Sequence, residues 1–315
     1  MSPRIKPQSA KLPTANAKRL RLRPWVWAAL VLIVGLGVGA HYLWRHTAPN
    51  IARRAQYVIT ADDIHITTPP AWIRSDVKAE ALRDIGLEQP LSVLDDWPAT
   101  VDRVTDAFEF HPWVAPVDRI SKRLPSSLAV EITYRRPVAA VESSDSDGVA
   151  FIPIDERAIR LPEADFTDAE RRRMPRISGV TGRPLVGDRW DDPRVQGGAK
   201  LAAALADVWQ QLQLVEILGV VDATAKSDKP RCTFEIVAAG GTRILWGVEP
   251  GMEAATGETP CDQKRSHLLQ FTAQHGGLDS IDGPAKLDVR REFVITPRTA
   301  RNQATKAVVE AAQTK

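Results

Sequence analysis

The longest apolar run lies near the start of the chain. Residues Trp25 to Trp44, WVWAALVLIVGLGVGAHYLW, carry no formal charge, and His41 is their only readily ionisable side chain. As a helix rising about 1.5 Å per residue, the run reaches ~30 Å, the thickness of a bilayer's hydrocarbon core. Trp25 and Trp27 at one end, and Tyr42 and Trp44 at the other, sit where aromatic rings meet lipid headgroups. A cleaved leader has an apolar core of only ~7–15 residues. The run therefore reads as an uncleaved anchor, with a faint cleavage-like VGA ending at Ala40 as the alternative.

After a polar linker at 45–57 the pattern changes. A strand is predicted near Ile64 to Thr68, stopped by Pro69-Pro70. A helix capped by Ser75 or Asp76 follows, with Val77, Ala81 and Ile85 at helical spacing and Gly86 at its end. A second helix begins after Asp95-Asp96, with Pro98 in its first turn and Val101, Val104 and Phe108 on its buried stripe. Then comes HPWVAPV, His111 to Val117: Pro112 holds His111 extended, which ends the helix, and Val114 starts a strand. Pro116 has no N–H, so that strand should be an edge or an irregular lead-in. The next strand alternates cleanly, with Leu128, Val130, Ile132 and Tyr134 facing one way and Ala129, Glu131, Thr133 and Arg135 the other. Residues 58–136 thus read β-α-α-β-β.

Residues 137–295 read as a larger mixed β domain with two helices. Strands are expected at VAAVES, VAFIPID, LVEILGVV, CTFEIVA, TRILWGV and AKLDVRREFVI, with a tight hairpin at Gly240-Gly241. One helix is predicted from Asp192 to Leu212, and a shorter one from Asp262 to His275, closed by Gly276-Gly277. Residues 296–315 have no core face and read as a tail. The fold class is α+β: a single transmembrane helix, a small β-α-α-β-β domain, then a larger β-rich domain.

Charge sharpens the topology. Residues 1–24 hold seven Lys or Arg and no acid; setting these aside from the 42 basic residues leaves 35 against 39 acids. The body is mildly acidic, which argues against nucleic acid as a partner. The basic tail favours a cytoplasmic N-terminus, with the larger part of the chain outside. In the membrane, Gly35 and Gly39 form a GxxxG that could pair helices.

Candidate chemistry is sparse. No G-x-S-x-G, S-x-x-K, H-E-x-x-H or Walker motif is present. Of the acid pairs, Asp95-Asp96 and Asp191-Asp192 precede predicted helices and read as caps, while Asp62-Asp63 precedes a strand. His111 lacks a partner acid or metal ligand in sequence. His267 and His275 would lie about 80° apart around one helix at ~100° per residue, so they read as packing or surface residues. Cys232 and Cys261 are candidates for a disulfide in an oxidising compartment, or are two free thiols. Their spacing to His267 and His275 matches no familiar zinc pattern. Arg171-Arg172-Arg173 reads as a solvated face, or as a contact for lipid headgroups or an acidic partner. No cofactor is implied.

Three short motifs follow the anchor in order: His111-Pro112-Trp113-Val114, Pro125-x-x-Leu128-x-Val130 and Arg136-Pro137-Val138-Ala139. With the β-α-α-β-β order, they resemble the POTRA domain of the FtsQ/DivIB family of bacterial cell-division proteins. Ile154-Asp155, Trp190, Trp246-Gly247, Lys264 and Leu287-Asp288-Val289-Arg290 extend the resemblance to about Val294. The connection after Asp155 lacks the glycine often seen in the family, and the loop from Glu249 to Gln263 is long. The resemblance implies a non-enzymatic inner-membrane scaffold at the septum, with FtsB-, FtsL- and FtsK-like partners. It places partner binding by strand addition at Lys286, Leu287, Asp288, Val289, Arg290 and Arg291, beside the helix carrying Lys264. His111, Pro112, Trp113, Pro125 and Pro137 have structural roles in this reading. The alternative is a membrane-anchored envelope enzyme, such as a peptidoglycan hydrolase, with an unrecognised site.

Overall fold

A computed structural model describes residues 24–52, 57–84, 91–92, 96–123, 126–145, 148–222, 231–279 and 284–297. Ile85, Gly86, Asp95 and Pro125 lie outside these residues, as do the basic stretch before Pro24 and the chain after Pro297. Two compact units divide the chain, Met1–Ala55 and Gln56–Lys315. In the first, α1 (Pro24–Ala52) contains a 22-residue segment, Trp25–His46, that is long and apolar enough to cross a membrane. None of that segment is buried against protein, and Val31, Leu32 and Ile33 are each at least 65% exposed, a surface suited to lipid rather than water.

The second unit begins with a small lobe. Its elements are β1 (Val58–Ile59), β2 (Ile64–Ile66), α2 (Val77–Asp84), β3 (Leu91–Ser92), α3 (Trp97–Glu109), β4 (Val114–Arg123) and β5 (Ser127–Tyr134). β2 lies parallel to β5 and β4 antiparallel to it, in the order β2-β5-β4, while β1 and β3 form a separate short pair. Along β5, Leu128, Val130 and Ile132 are buried and Glu131 and Thr133 exposed, the period-two alternation of a sheet with one covered face. α2 and α3 cover that face: Val77, Ala81, Leu82, Val104 and Phe108 share its core with Trp113 and Val114. β4 is an edge strand, and its register shifts on both sides of Val117, next to Pro116. A proline without an N–H cannot hold a regular ladder there.

Among the described residues, the larger lobe is built on an eight-stranded sheet. Its strands are β6 (Ala139–Asp145), β7 (Gly148–Ile154), β8 (Arg176–Val180), β9 (Leu214–Asp222), β10 (Arg231–Ala238), β11 (Arg243–Gly247), β12 (Pro284–Asp288) and β13 (Val294–Pro297), ordered β13-β12-β11-β10-β9-β8-β6-β7. Between them run α4 (Asp168–Arg173), α5 (Pro193–Ala204), α6 (Glu253–Thr256) and α7 (Cys261–His275). Parallel neighbours need a long crossover, and α5 supplies it from β8 to β9 and α7 lies within the one from β11 to β12. The strand registers align one aliphatic row across the sheet: Ile152, Val141, Ile177, Ile217, Ile236, Ile244, Leu287 and Ile295. The first seven are fully buried, whereas Ile295 on the last strand is 45% exposed.

Several expectations need correction. The helix predicted from Asp192 to Leu212 ends at Ala204, where Ala206 and Val208 N–H groups bond three residues back, to Ala203 and Leu205. These tighter turns still carry Leu205, Val208, Trp209 and Leu212 into the core, and Gln213 at φ 51° reverses the chain into β9. Asp96 stands at the N-cap of α3 without a side-chain cap bond, whereas Asp192 caps α5 by accepting from Arg194 N–H at 2.8 Å. In the connection after Asp155, Ala158 adopts φ 62°, and Asp155 Oδ1 accepts from Arg157 and Ile159 N–H. Across the expected boundary at 136/137, Leu161 and Phe166 of the larger lobe pack with the small lobe's core.

Candidate functional site

The expected docking segment, Lys286 to Arg291, is not a free edge strand. The predicted run AKLDVRREFVI splits into β12 and β13, and β12 sits between β11 and β13, with Lys286 opposite Thr296 and Leu287 opposite Ile295. The break follows from local bonding. Asp288 Oδ1 accepts from Arg290 N–H at 3.1 Å and from its Nε at 2.9 Å, which turns the chain. Thr259 then donates its N–H to Arg290 O and its hydroxyl to Arg291 O. Those carbonyls already accept from Thr259 within the lobe. Leu287 and Val289 are buried; Lys286, Arg290 and Arg291 remain exposed. The Arg290 guanidinium beside Asp288 holds its carboxyl below the usual carboxylate range.

Lys264, expected beside the partner-binding strand, is engaged by groups of its own lobe. Its side chain is fully buried, with Nζ donating to Trp246 O at 2.7 Å and to Glu258 Oε2 at 2.8 Å, and lying 5.2 Å from the Trp246 ring centroid. The same Glu258 oxygen accepts from Val248 N–H at 3.1 Å. Lys264 thus fastens α7 to the end of β11 and to the long loop. Among the described strands, the open edge of the sheet on this side is β13, where Val294 and Ile295 are exposed. The opposite edge, β7, is partly covered: Leu161 N–H donates to Pro153 O at 2.9 Å, and Arg171 lies over Phe151 O.

At the HPWV corner, α3 gives way to β4 and the side chains are fully engaged. His111 is buried; its Nδ1 accepts from Trp113 N–H at 3.3 Å, so the proton sits on Nε2, 3.1 Å from Glu80 Oε2 on α2. Trp113 is fully buried and donates its indole N–H to Asp165 Oδ2 at 2.6 Å. Asp165, from the larger lobe, also accepts from Arg74 N–H at 2.8 Å, Ser75 N–H at 2.6 Å and the Ser75 hydroxyl at 3.0 Å. Arg74 pairs with Glu170 at 2.7 Å, and Glu170 also accepts from Thr167, so its carboxyl is lowered to about 2. Asp165 was not a sequence candidate: it sits in a polar stretch, PEADFTDAE, where nothing distinguishes it from a surface acid. Pro112 packs against Gly187, and Pro137 lies in the passage between the lobes, where Arg135 pairs with Asp155 at 2.9 Å.

The remaining candidates take packing roles. Cys232 on β10 and Cys261 at the start of α7 are free thiols, and burial pushes Cys232 up to about 11 and raises Cys261. His267 meets the edge of Phe293 and His275 stacks on Phe271. Among the described residues, no three His, Cys, Asp or Glu side chains converge as metal ligands. The basic run divides: Arg171 joins Glu163 and Asp168, Arg172 lies over the Phe151 ring, and Arg173 faces a groove described below. No family model matches the chain, and no curated protein matches it.

Proposed function

We propose that the chain is a non-enzymatic, membrane-anchored scaffold of the bacterial division septum, with its N-terminus in the cytoplasm and its larger unit on the far side of the inner membrane. The small lobe is read as a POTRA-type domain of the FtsQ/DivIB kind. The observation that carries the docking reading is the aliphatic row of the large sheet, which ends in the exposed Ile295 of edge strand β13. An edge strand offers unpaired N–H and C=O groups, and an uncovered apolar end gives an incoming segment something to bury. We place the binding of FtsB- and FtsL-like membrane partners there rather than along β12, and FtsK-like proteins remain proposed partners without an assigned surface. The order of the HPWV, L-x-V and RPVA motifs after a single anchor supports the family reading.

Depletion in the source organism tests the function. Blocked septation with the tagged protein at mid-cell is expected; normal division with altered envelope chemistry would instead favour an enzyme. For the surface, Ile295→Lys adds an edge-blocking charge at an exposed position and should abolish co-purification of the small membrane partners while leaving the melting temperature unchanged. Intact co-purification would show that β13 is the wrong edge.

A further inference from the structure

A second surface, lined by no residue of β12 or β13, lies where the chain passes from β5 to β6. A cavity of about 530 Å³ opens there, within the size range of ligand pockets. Its apolar lining comes from Pro116, Pro137, Val138, Pro175, Ala203 and Trp209. Its charged lining is unbalanced. Arg135 is matched by Asp155, but Arg136, Arg157 and Arg173 are exposed, and among the described residues their guanidinium groups have no partner. Among the described residues, Glu156 is the one further acid on the wall. In a body with more acids than bases, three unmatched arginines around one concave site form a local positive patch.

We propose that this groove binds an acidic, amphipathic peptide segment of a partner protein, with carboxylates held by Arg136, Arg157 and Arg173 and an aliphatic side chain seated on the apolar lining. Arginine forks match carboxylates two bonds at a time, which suits a side-chain-reading site. Backbone pairing is closed off here: Ala115 and Pro116 of edge strand β4 line the groove, but Pro116 has no N–H and the register shifts beside it. An inorganic anion would leave the apolar lining unused, and the flat face of a bilayer cannot enter a concave site. This inference stands independently of the β13 reading.

The test uses the full chain in nanodiscs of neutral lipid and a short fluorescein-labelled peptide of alternating Glu and Leu, followed by fluorescence anisotropy. Saturable binding is expected, weakening as salt rises. The triple variant Arg136→Glu/Arg157→Glu/Arg173→Glu should bind roughly tenfold more weakly or worse. Ala206→Trp, which fills the groove from an exposed position and leaves the charges in place, should weaken binding comparably. The same peptide with Gln for Glu should not bind. Melting temperatures identify any variant that fails to fold, in which case Ala206→Trp and single Arg157→Glu decide. Absence of binding by the parent protein, equal binding by Ala206→Trp, or equal binding of the Gln peptide overturns the proposal. So does co-sedimentation with phosphatidylglycerol vesicles that depends on the three arginines while the peptide stays unbound, which would assign the patch to lipid.

Discussion

Removing the carboxylate of Asp165 should loosen the two lobes from each other. The side chain is 3% exposed and gathers four donors: two backbone N–H groups before α2, the Ser75 hydroxyl and the Trp113 indole. In Asp165→Ala the Ser75 hydroxyl can turn to water. The indole N–H belongs to a fully buried ring and cannot, at a cost of about 1–3 kcal/mol. The two backbone N–H groups lie in a half-buried turn and should each lose ~0.5–1.5 kcal/mol, so the total is about 2–6 kcal/mol. At ~2–4 °C per kcal/mol for a folded unit of this size, a change near the middle of that range lowers the melting temperature by about 8–16 °C. Trp113→Phe removes the donor with its share of the bond and should cost less. Asp165→Asn keeps one acceptor for the backbone but can turn an NH2 toward the indole N–H. Trp113→Phe should therefore relieve part of the Asn defect, with a coupling of ~1–2 kcal/mol in a double-mutant cycle. Thermal melting of the four proteins measures this, and hydrogen exchange should show protection lost first across Val77 to Leu82. A shift under about 3 °C for Asp165→Ala, or strictly additive effects in the cycle, would refute the reasoning.

Other outcomes follow from the same structure. Lys264→Ala leaves the Glu258 carboxylate buried without its cation and should destabilise the fold by ~3–5 kcal/mol in urea unfolding, while Lys264→Met/Glu258→Leu should recover much of that loss. Glu170 has a folded-state pKa of about 2 against an ordinary 4.5. Its contribution to stability is thus full above the ordinary value and disappears as pH falls toward the folded one; Glu170→Gln should flatten the pH dependence of the urea midpoint across that window. The Cys232 thiol, raised to about 11 by burial, should react slowly with iodoacetamide at neutral pH in the folded protein and fast in urea. Non-reducing mass spectrometry should find both cysteines unbonded; a mass lower by two protons would contradict the structure.

The periodic features were readable in the chain because each rests on a local rule. Twenty uncharged residues can cover a bilayer's thickness whatever follows them. The alternation from Leu128 to Tyr134, Pro98 opening one helix and Gly276 closing another, and the proline-bound corner at His111 all reflect backbone chemistry within a few residues. The arrangement at the end of the large sheet was not readable that way. AKLDVRREFVI looks like one strand, and its division into β12 and β13 rests on the local Asp288–Arg290 turn together with Thr259, a residue distant in sequence, bonding to the carbonyls of Arg290 and Arg291. Lys264 looks like a surface cation on a helix, and its burial depends on Glu258 and the Trp246 carbonyl meeting it in space. Asp165 is the sharpest case: a carboxylate in a polar stretch becomes one of the points where the two lobes are joined, because its four donors come from segments more than fifty residues away. Local sequence sets which elements form and which face each one buries. Which edge stays open, and which charges are shut inside, depends on long-range pairing that periodicity does not encode.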